Sequence, residues 1–194
     1  MIIVVLTGSI AMGKSTTASM FHRRKIPIFD ADKVVHNLLK KGGAAFGLIE
    51  RHFPTAINKN AIDRGILSKI VFGDPCQLSI LESLIHPLVD NERKFFLQRH
   101  QRKKTNLVIL DVPLFFETKN RYKCDFVCVV SAPRFLQKQR ALGRTGMTRE
   151  KFSAILSRQL PDHAKKKRSD FVIPTGLGKA YTDRVLTKIL KQIH

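Results

Sequence analysis

Gly8-Ser9-Ile10-Ala11-Met12-Gly13-Lys14-Ser15 follows at once on the apolar run Ile2-Ile3-Val4-Val5-Leu6, and the residues after it are helical in character. A G-x-x-x-x-G-K-[ST] pattern between a strand and a helix constrains the fold more than any other feature of the chain. A continuous β-branched run without alternation reads as a strand buried on both faces of a parallel sheet. The glycines let backbone N–H groups turn inward around an anion, and the helix behind them adds the positive end of its dipole. A lysine and a hydroxyl at this spacing suit the β- and γ-phosphates of a nucleoside triphosphate and a Mg²⁺ ion. The alternative is a plain strand–helix turn with a surface lysine, and the agreement of residue types with placement disfavours it.

The rest of the chain supports an α/β fold. Ile26-Pro27-Ile28-Phe29 reads as a second strand, ending at Asp30-Ala31-Asp32, and a helix follows until Gly42-Gly43 stops it. Residues 44–104 hold few strand-like runs. Asp74-Pro75 opens a helix there, with Asp as cap and Pro in the first turn. His86-Pro87 is expected to interrupt that helix, and a further one to run over residues 88–104. Strands return at residues 107–113 and 125–130, helices at 133–142 and 149–160, then a strand at 171–173 and a helix at 179–193. Strands alternating with helices give a mostly parallel sheet, with the helical block as an insertion. At 194 residues this is one domain.

Composition narrows the partners. There are 35 Lys+Arg against 15 Asp+Glu, a net charge of +20, so the chain should attract polyanions. A nucleic-acid-stimulated NTPase would want stacking aromatics along a basic stripe, yet there is no Trp and only two Tyr. Neither nucleic acid nor membrane is therefore expected as a partner. The apolar run at the N-terminus has no basic flank and is too short for a signal peptide or a membrane span. The three cysteines form no even framework, and Cys124 and Cys128 read as small core residues. Both features fit a cytoplasmic protein. Monomer and homo-oligomer both remain open.

Several side chains are candidates for chemistry. Asp30 and Asp32 lie just past the second strand, where ligands of open α/β sheets bind, but either could simply cap the next helix. Asp111 ends another strand on the same edge and is placed to support Mg²⁺, directly or through water. Arg140 and Arg144 share one helix face before a Gly-bearing turn, an arrangement that fits a lid over a transferred phosphate or a solvated basic face. Lys165-Lys166-Lys167-Arg168 reads as solvated charge. His86 reads as a turn residue.

These segments together resemble the dephospho-CoA kinases. Leu6-Thr7-Gly8-Ser9-Ile10 with Gly13-Lys14-Ser15-Thr16 is similar to that family's opening LTGGIGSGKST. Asp30-Ala31-Asp32 with His36 is similar to DAD-x-x-x-H, and Ile85-His86-Pro87-Leu88 to the IHP segment. Asp111-Val112-Pro113-Leu114-Phe115-Phe116-Glu117 resembles DVPLLFE, which other P-loop kinases do not usually carry. Gln139-Arg140, Arg144 and Gln159 resemble the lid pattern, and Ser169-Asp170-Phe171-Val172-Ile173 the closing ADFVI. Four positions depart from it. Ser9 and Ala11 replace loop glycines and should adopt ordinary backbone angles. Ile155 stands at a lid arginine, and Pro174 replaces an acid.

The resemblance implies a three-layer P-loop fold with a nucleotide-binding core (residues 1–43, 105–135 and 169–194), a helical CoA-binding insertion for the acceptor (44–104) and a helical lid (136–168). It implies transfer of the γ-phosphoryl of ATP, with Mg²⁺, to the ribose 3′-hydroxyl of dephospho-CoA, the last step of coenzyme A synthesis. Asp32, Lys14 and Arg140 would be catalytic. Gly8, Ala11, Met12, Gly13, Lys14, Ser15, Thr16 and Arg144 would bind ATP. Asp32, His86, Pro87, Leu114, Phe115 and Glu117 would meet dephospho-CoA. Ser15 would hold Mg²⁺, with Asp111 acting through water. Another small-molecule P-loop kinase, such as a nucleotide kinase, is the alternative.

Overall fold

The structure, a computed structural model, describes residues 1–118 and 123–193. The chain forms two compact units, Met1–Phe29 with Lys104–His194, and Asp30–Lys103. The chain opens with β1 (Ile2–Thr7), α1 (Lys14–Arg23) and β2 (Ile28–Asp30). Next come α2 (Ala31–Leu38), α3 (Phe46–His52), a 3-10 turn, strands β3 (Ile57–Asn58) and β4 (Ala61–Ile62), α4 (Arg64–Gly73) and α5 (Pro75–Arg102). The first unit then resumes with β5 (Leu107–Asp111), β6 (Phe126–Ser131), α6 (Arg134–Leu142), α7 (Arg149–Ser157), α8 (Asp162–Lys167), β7 (Phe171–Pro174) and α9 (Lys179–Ile193).

Five strands form one sheet in the order β2-β5-β1-β6-β7, and β1 pairs in parallel with β5 and β6, as β6 does with β7. Apolar burial explains the run-like sequence of these strands. Val4, Leu6, Cys128, Val130 and Ile173 pack with Met20 and Phe21 of α1 and with Leu186 and Ile189 of α9. The alternate residues Val5, Val108, Leu110 and Val129 are just as buried, so both faces of the sheet are covered. Two carboxylates fasten the strand starts. Asp125 Oδ2 accepts the Ile3 N–H at 2.7 Å, and Asp170 Oδ2 accepts the Val127 N–H at 2.7 Å. Burial, with Asp170 nearby, pushes the Cys128 thiol up to about 12, so it stays protonated and inert.

The strand order positions the site. From β1 the chain travels outward to β2, returns through β5 and then crosses to β6 on the other side of β1. Ligands of open α/β sheets bind at the carboxyl ends of strands where the direction of travel reverses. In register, Leu6 lies level with Asp111 on one side and Cys128 on the other, so β1 and β5 end side by side.

The second unit is helical apart from one hairpin. Lys59 and Asn60 both take left-handed angles (φ 46° and 62°), the requirement of the tight two-residue turn that joins β3 to β4. Asp63 caps α4 by accepting the Gly65 and Ile66 N–H groups, and Asp74 caps α5 with Pro75 in its first turn. Where the sequence reading opens the insertion at residue 44, this unit opens at Asp30, because α2 packs against α5. The expected break at His86-Pro87 does not occur. Residues 75–102 form one 28-residue helix with Pro87 inside it. Apolar Ile85 and Val89, both buried, hold the helix through the site where proline removes one backbone donor.

Pro87→Ala restores that donor, worth up to about 3 kcal/mol in a helix interior, less up to about 1 kcal/mol for the looser unfolded chain. Thermal unfolding should therefore show a midpoint raised by a few degrees. A lowered midpoint would mean that the fold needs the proline.

Candidate functional site

The turn from β1 to α1 is built by close approach and by left-handed backbone. A Cβ on Gly8 would stand 2.4 Å from Val130 Cγ2 and 2.8 Å from the Val130 carbonyl oxygen, so β6 leaves room for glycine only. Gly13 has φ +95°, and a Cβ there would meet the Thr175 hydroxyl at 2.9 Å. Ala11 corrects the expectation of ordinary angles. Its φ is 59°, in the left-handed region, and its methyl is buried with Ala141 and Phe152. Packing of that methyl offsets part of the roughly 1–2 kcal/mol this conformation costs an L-residue. Gly13 stands at the N-cap of α1 with no side chain to cap it, and the first turn carries no acid. The amides at the start of α1 are thus left for an external anion.

Charge is concentrated on this turn. Lys14 Nζ lies 2.6 Å from Asp111 Oδ1, a pair with side chains 16% and 5% exposed. The level ends of β1 and β5 make this contact unavoidable. Ser15 and Thr16 are exposed in the next two positions. Arg140 on α6 donates to the Thr175 hydroxyl at 3.2 Å and to the Thr175 carbonyl at 2.8 Å. The Thr175 hydroxyl in turn donates to the Met12 carbonyl at 2.6 Å. Arg140 is therefore tied to the loop through Thr175, whereas Arg144 at the end of the same helix is exposed. Thr175 was not singled out in the sequence. Its place just past the carboxyl end of β7 is the signal that marks it.

The segment after β5 divides its labour. The Thr7 hydroxyl donates to the Pro113 carbonyl at 3.0 Å, fixing the turn beside β1. Leu114 is exposed, whereas Phe115 is buried. Glu117 Oε1 accepts the Leu160 N–H at 2.8 Å and pairs with Lys165 Nζ at 2.7 Å. Lys165 is fully buried, so the run 165–168 is not wholly the solvated charge that the sequence suggests. Lys166 follows expectation and reaches back to Asp162 at 3.3 Å.

In the second unit the two neighbouring acids separate. Asp30 caps α2, accepting the Lys33 N–H at 2.9 Å, and Asp32 stands exposed in the first turn. The capping role thus falls on Asp30 and leaves the Asp32 carboxylate unused by the helix. His36 Nδ1 accepts from the Arg64 guanidinium. His86 and Pro87 are exposed on α5.

A charge as buried as Lys165 makes Glu117 testable. Glu117→Ala strands that ammonium and should cost about 3–5 kcal/mol, and combining it with Lys165→Met should recover much of the loss. Denaturant unfolding of the single and double variants measures this. A cost under about 1 kcal/mol for Glu117→Ala would free the carboxylate for a ligand.

Residues 2–177 match the family described as dephospho-CoA kinase. The dephospho-CoA kinase of Paramagnetospirillum magneticum is 51% identical over 84% of this chain and 77% of its own length. That of Mesorhizobium japonicum is 43% identical over 99% of this chain and 98% of its own. Among solved structures, TT1252 from Thermus thermophilus superposes with a TM-score of 0.85 at 30% identity, covering 100% of this chain and 98% of the other. The dephospho-CoA kinase from Campylobacter jejuni follows with 0.64 at 27% identity, over 98% and 96% of the two chains.

Proposed function

We propose that this chain, which belongs to the dephospho-CoA kinase family, transfers the γ-phosphoryl group of ATP to the ribose 3′-hydroxyl of dephospho-CoA, releasing ADP and coenzyme A. The observation that carries the reading is the turn after β1: uncapped helix amides beside a lysine that a buried carboxylate already aims. Such a site stabilises charge on a transferring phosphoryl group with little reorganisation.

The roles follow from placement. The amides of residues 13–16 and the Lys14 ammonium take the β- and γ-phosphates. Gly8, Ala11 and Met12 shape the turn. Arg140, fixed on Thr175, and Arg144 add positive charge at the nucleotide. Asp32 orients the acceptor hydroxyl and takes its proton as the new O–P bond forms and the bond from the γ-phosphorus to the leaving oxygen breaks. His86 and Pro87 on α5 and exposed Leu114 are assigned to dephospho-CoA, with buried Phe115 supporting Leu114. Glu117 is assigned to anchoring the segment instead of to substrate, because its carboxylate is engaged by Leu160 and Lys165.

Mg²⁺ fits these residues. Among the described residues no cluster of three or more His, Cys, Asp or Glu could hold a metal on its own. An exposed Ser15 hydroxyl with Asp111 close to Lys14 suits an ion that keeps waters and takes most other ligands from phosphate. Ser15 would hold it and Asp111 would act through water. The ion neutralises phosphate charge when bound. Both substrates are polyanions, which gives the +20 charge a use in drawing them in. No described helix is long and apolar enough to cross a membrane, and we assign the enzyme to the cytoplasm.

ADP release from ATP–Mg²⁺ with and without dephospho-CoA tests the reading. Release should depend on dephospho-CoA, and a nucleoside monophosphate that served equally well would overturn the acceptor assignment. Asp32→Asn refines it. Because Asp30 caps α2, the melting temperature should stay within a few degrees of wild type. ATP should still bind, and transfer should fall by roughly 10²–10⁴. Turnover within a few-fold of wild type would remove Asp32 from the chemistry.

A further inference from the structure

We propose that Gln137 and Gln159 are positioning residues of the phosphate loop, gripping the two peptide groups on either side of Ile10 so that the Ala11 N–H faces the bound phosphates. This rests on the phosphoryl-transfer reading and adds to it two residues with no assigned role. The Ile10 N–H donates to Gln159 Oε1 at 3.0 Å. The Gln137 Nε2 donates to the Ile10 carbonyl at 2.9 Å. Gln137 is 4% exposed on α6, and Gln159 is half-buried just past α7. One loop residue thus has its donor and its acceptor met by two side chains from well over a hundred residues away.

The polarity of each bond is fixed by chemistry. A backbone N–H only donates and a carbonyl only accepts, so Gln159 must present oxygen and Gln137 must present nitrogen. The geometric consequence comes from the planar trans peptide, whose C=O and N–H point in opposite directions. No described peptide bond is cis. With the Ile10 carbonyl drawn toward α6, the Ala11 N–H is turned the other way. With the Ile10 N–H drawn toward Gln159, the Ser9 carbonyl is likewise turned away, and it accepts the Met12 N–H at 3.2 Å inside the turn. Ala11 sits at φ 59°, a conformation that a non-glycine keeps only when its surroundings hold it. The two glutamines are part of that hold.

Four variants test this. Gln159→Glu keeps an oxygen acceptor for the Ile10 N–H, and Gln159→Met removes it at similar size. Gln137→Met removes the donor, and Gln137→Glu sets a carboxylate against a carbonyl. Both side chains line a cavity of about 590 Å³, which gives methionine room to settle. The two Glu variants add the same charge beside the same loop, so their difference reads hydrogen-bond polarity. Steady-state kinetics with ATP–Mg²⁺ and dephospho-CoA should give Gln159→Glu a kcat within about threefold of wild type. The other three should lose about 10- to 100-fold in kcat, below the cost of deleting a catalytic donor outright. Affinity for ATP should follow the same order within about fivefold, with melting temperatures within a few degrees. Equal kcat for the two Glu variants, or losses that simply track melting temperature, would overturn the assignment. If Gln137→Glu does not fold, Gln137→Met against the Gln159 pair decides it. If the wild-type enzyme shows no release dependent on dephospho-CoA, the functional reading falls, and the order of ATP affinities still decides the glutamines.

Discussion

A phosphate loop must leave its own inward-facing backbone donors unpaired, so whatever holds it has to grip it from outside. The rest of the first unit is arranged around that constraint. Strand β6 presses on Gly8 through Val130 and admits no side chain there. Thr175, past the end of β7, takes the Met12 carbonyl, and Arg140 of α6 is fastened to the same threonine. The Ala132 N–H reaches the Met12 sulfur at 3.2 Å. Every one of these grips comes from elements C-terminal to β6. The loop is encoded in the first fifteen residues, yet its shape depends on chain laid down more than a hundred residues later.

Much of this architecture is legible in the sequence because burial on both faces leaves a run of β-branched residues that no surface strand would carry. Strands β1, β5, β6 and β7 and helix α9 are read from that signal and from helical periodicity alone. The hairpin of β3 and β4 is not, since Lys59 and Asn60 reach left-handed angles without the glycine that normally advertises such a turn. The continuity of α5 through Pro87 is hidden too, because local propensity is outweighed by the burial of Ile85 and Val89.

In the site, legibility follows range. Lys14, Ser15 and the glycines belong to a local motif and are visible at once. The ambiguity between Asp30 and Asp32 is local as well, and a single hydrogen bond to the Lys33 amide resolves it. Gln137, Thr175 and Lys165 are invisible for the opposite reason. Each acts through one contact to a distant segment, and nothing adjacent in sequence distinguishes a glutamine on a helix from a solvent-facing one. Lys165 shows the hazard most clearly: within a run of four basic residues, one is fully buried against Glu117.

The pairing of Lys14 with Asp111 has a consequence for how the site meets anions. With no nucleotide bound, the lysine is not a bare cation awaiting any negative group. It already has a counter-charge, fixed to the sheet and almost closed to solvent. An arriving phosphate must compete with that carboxylate, so capture is closer to ion exchange than to simple addition. A lone inorganic anion gains little from such an exchange. A chain of phosphates that also engages the helix amides, and brings its own metal ion to share the displaced carboxylate, gains much more. The built-in counter-ion therefore works as a filter, trading raw attraction for discrimination in a protein whose +20 charge would otherwise draw in every polyanion nearby.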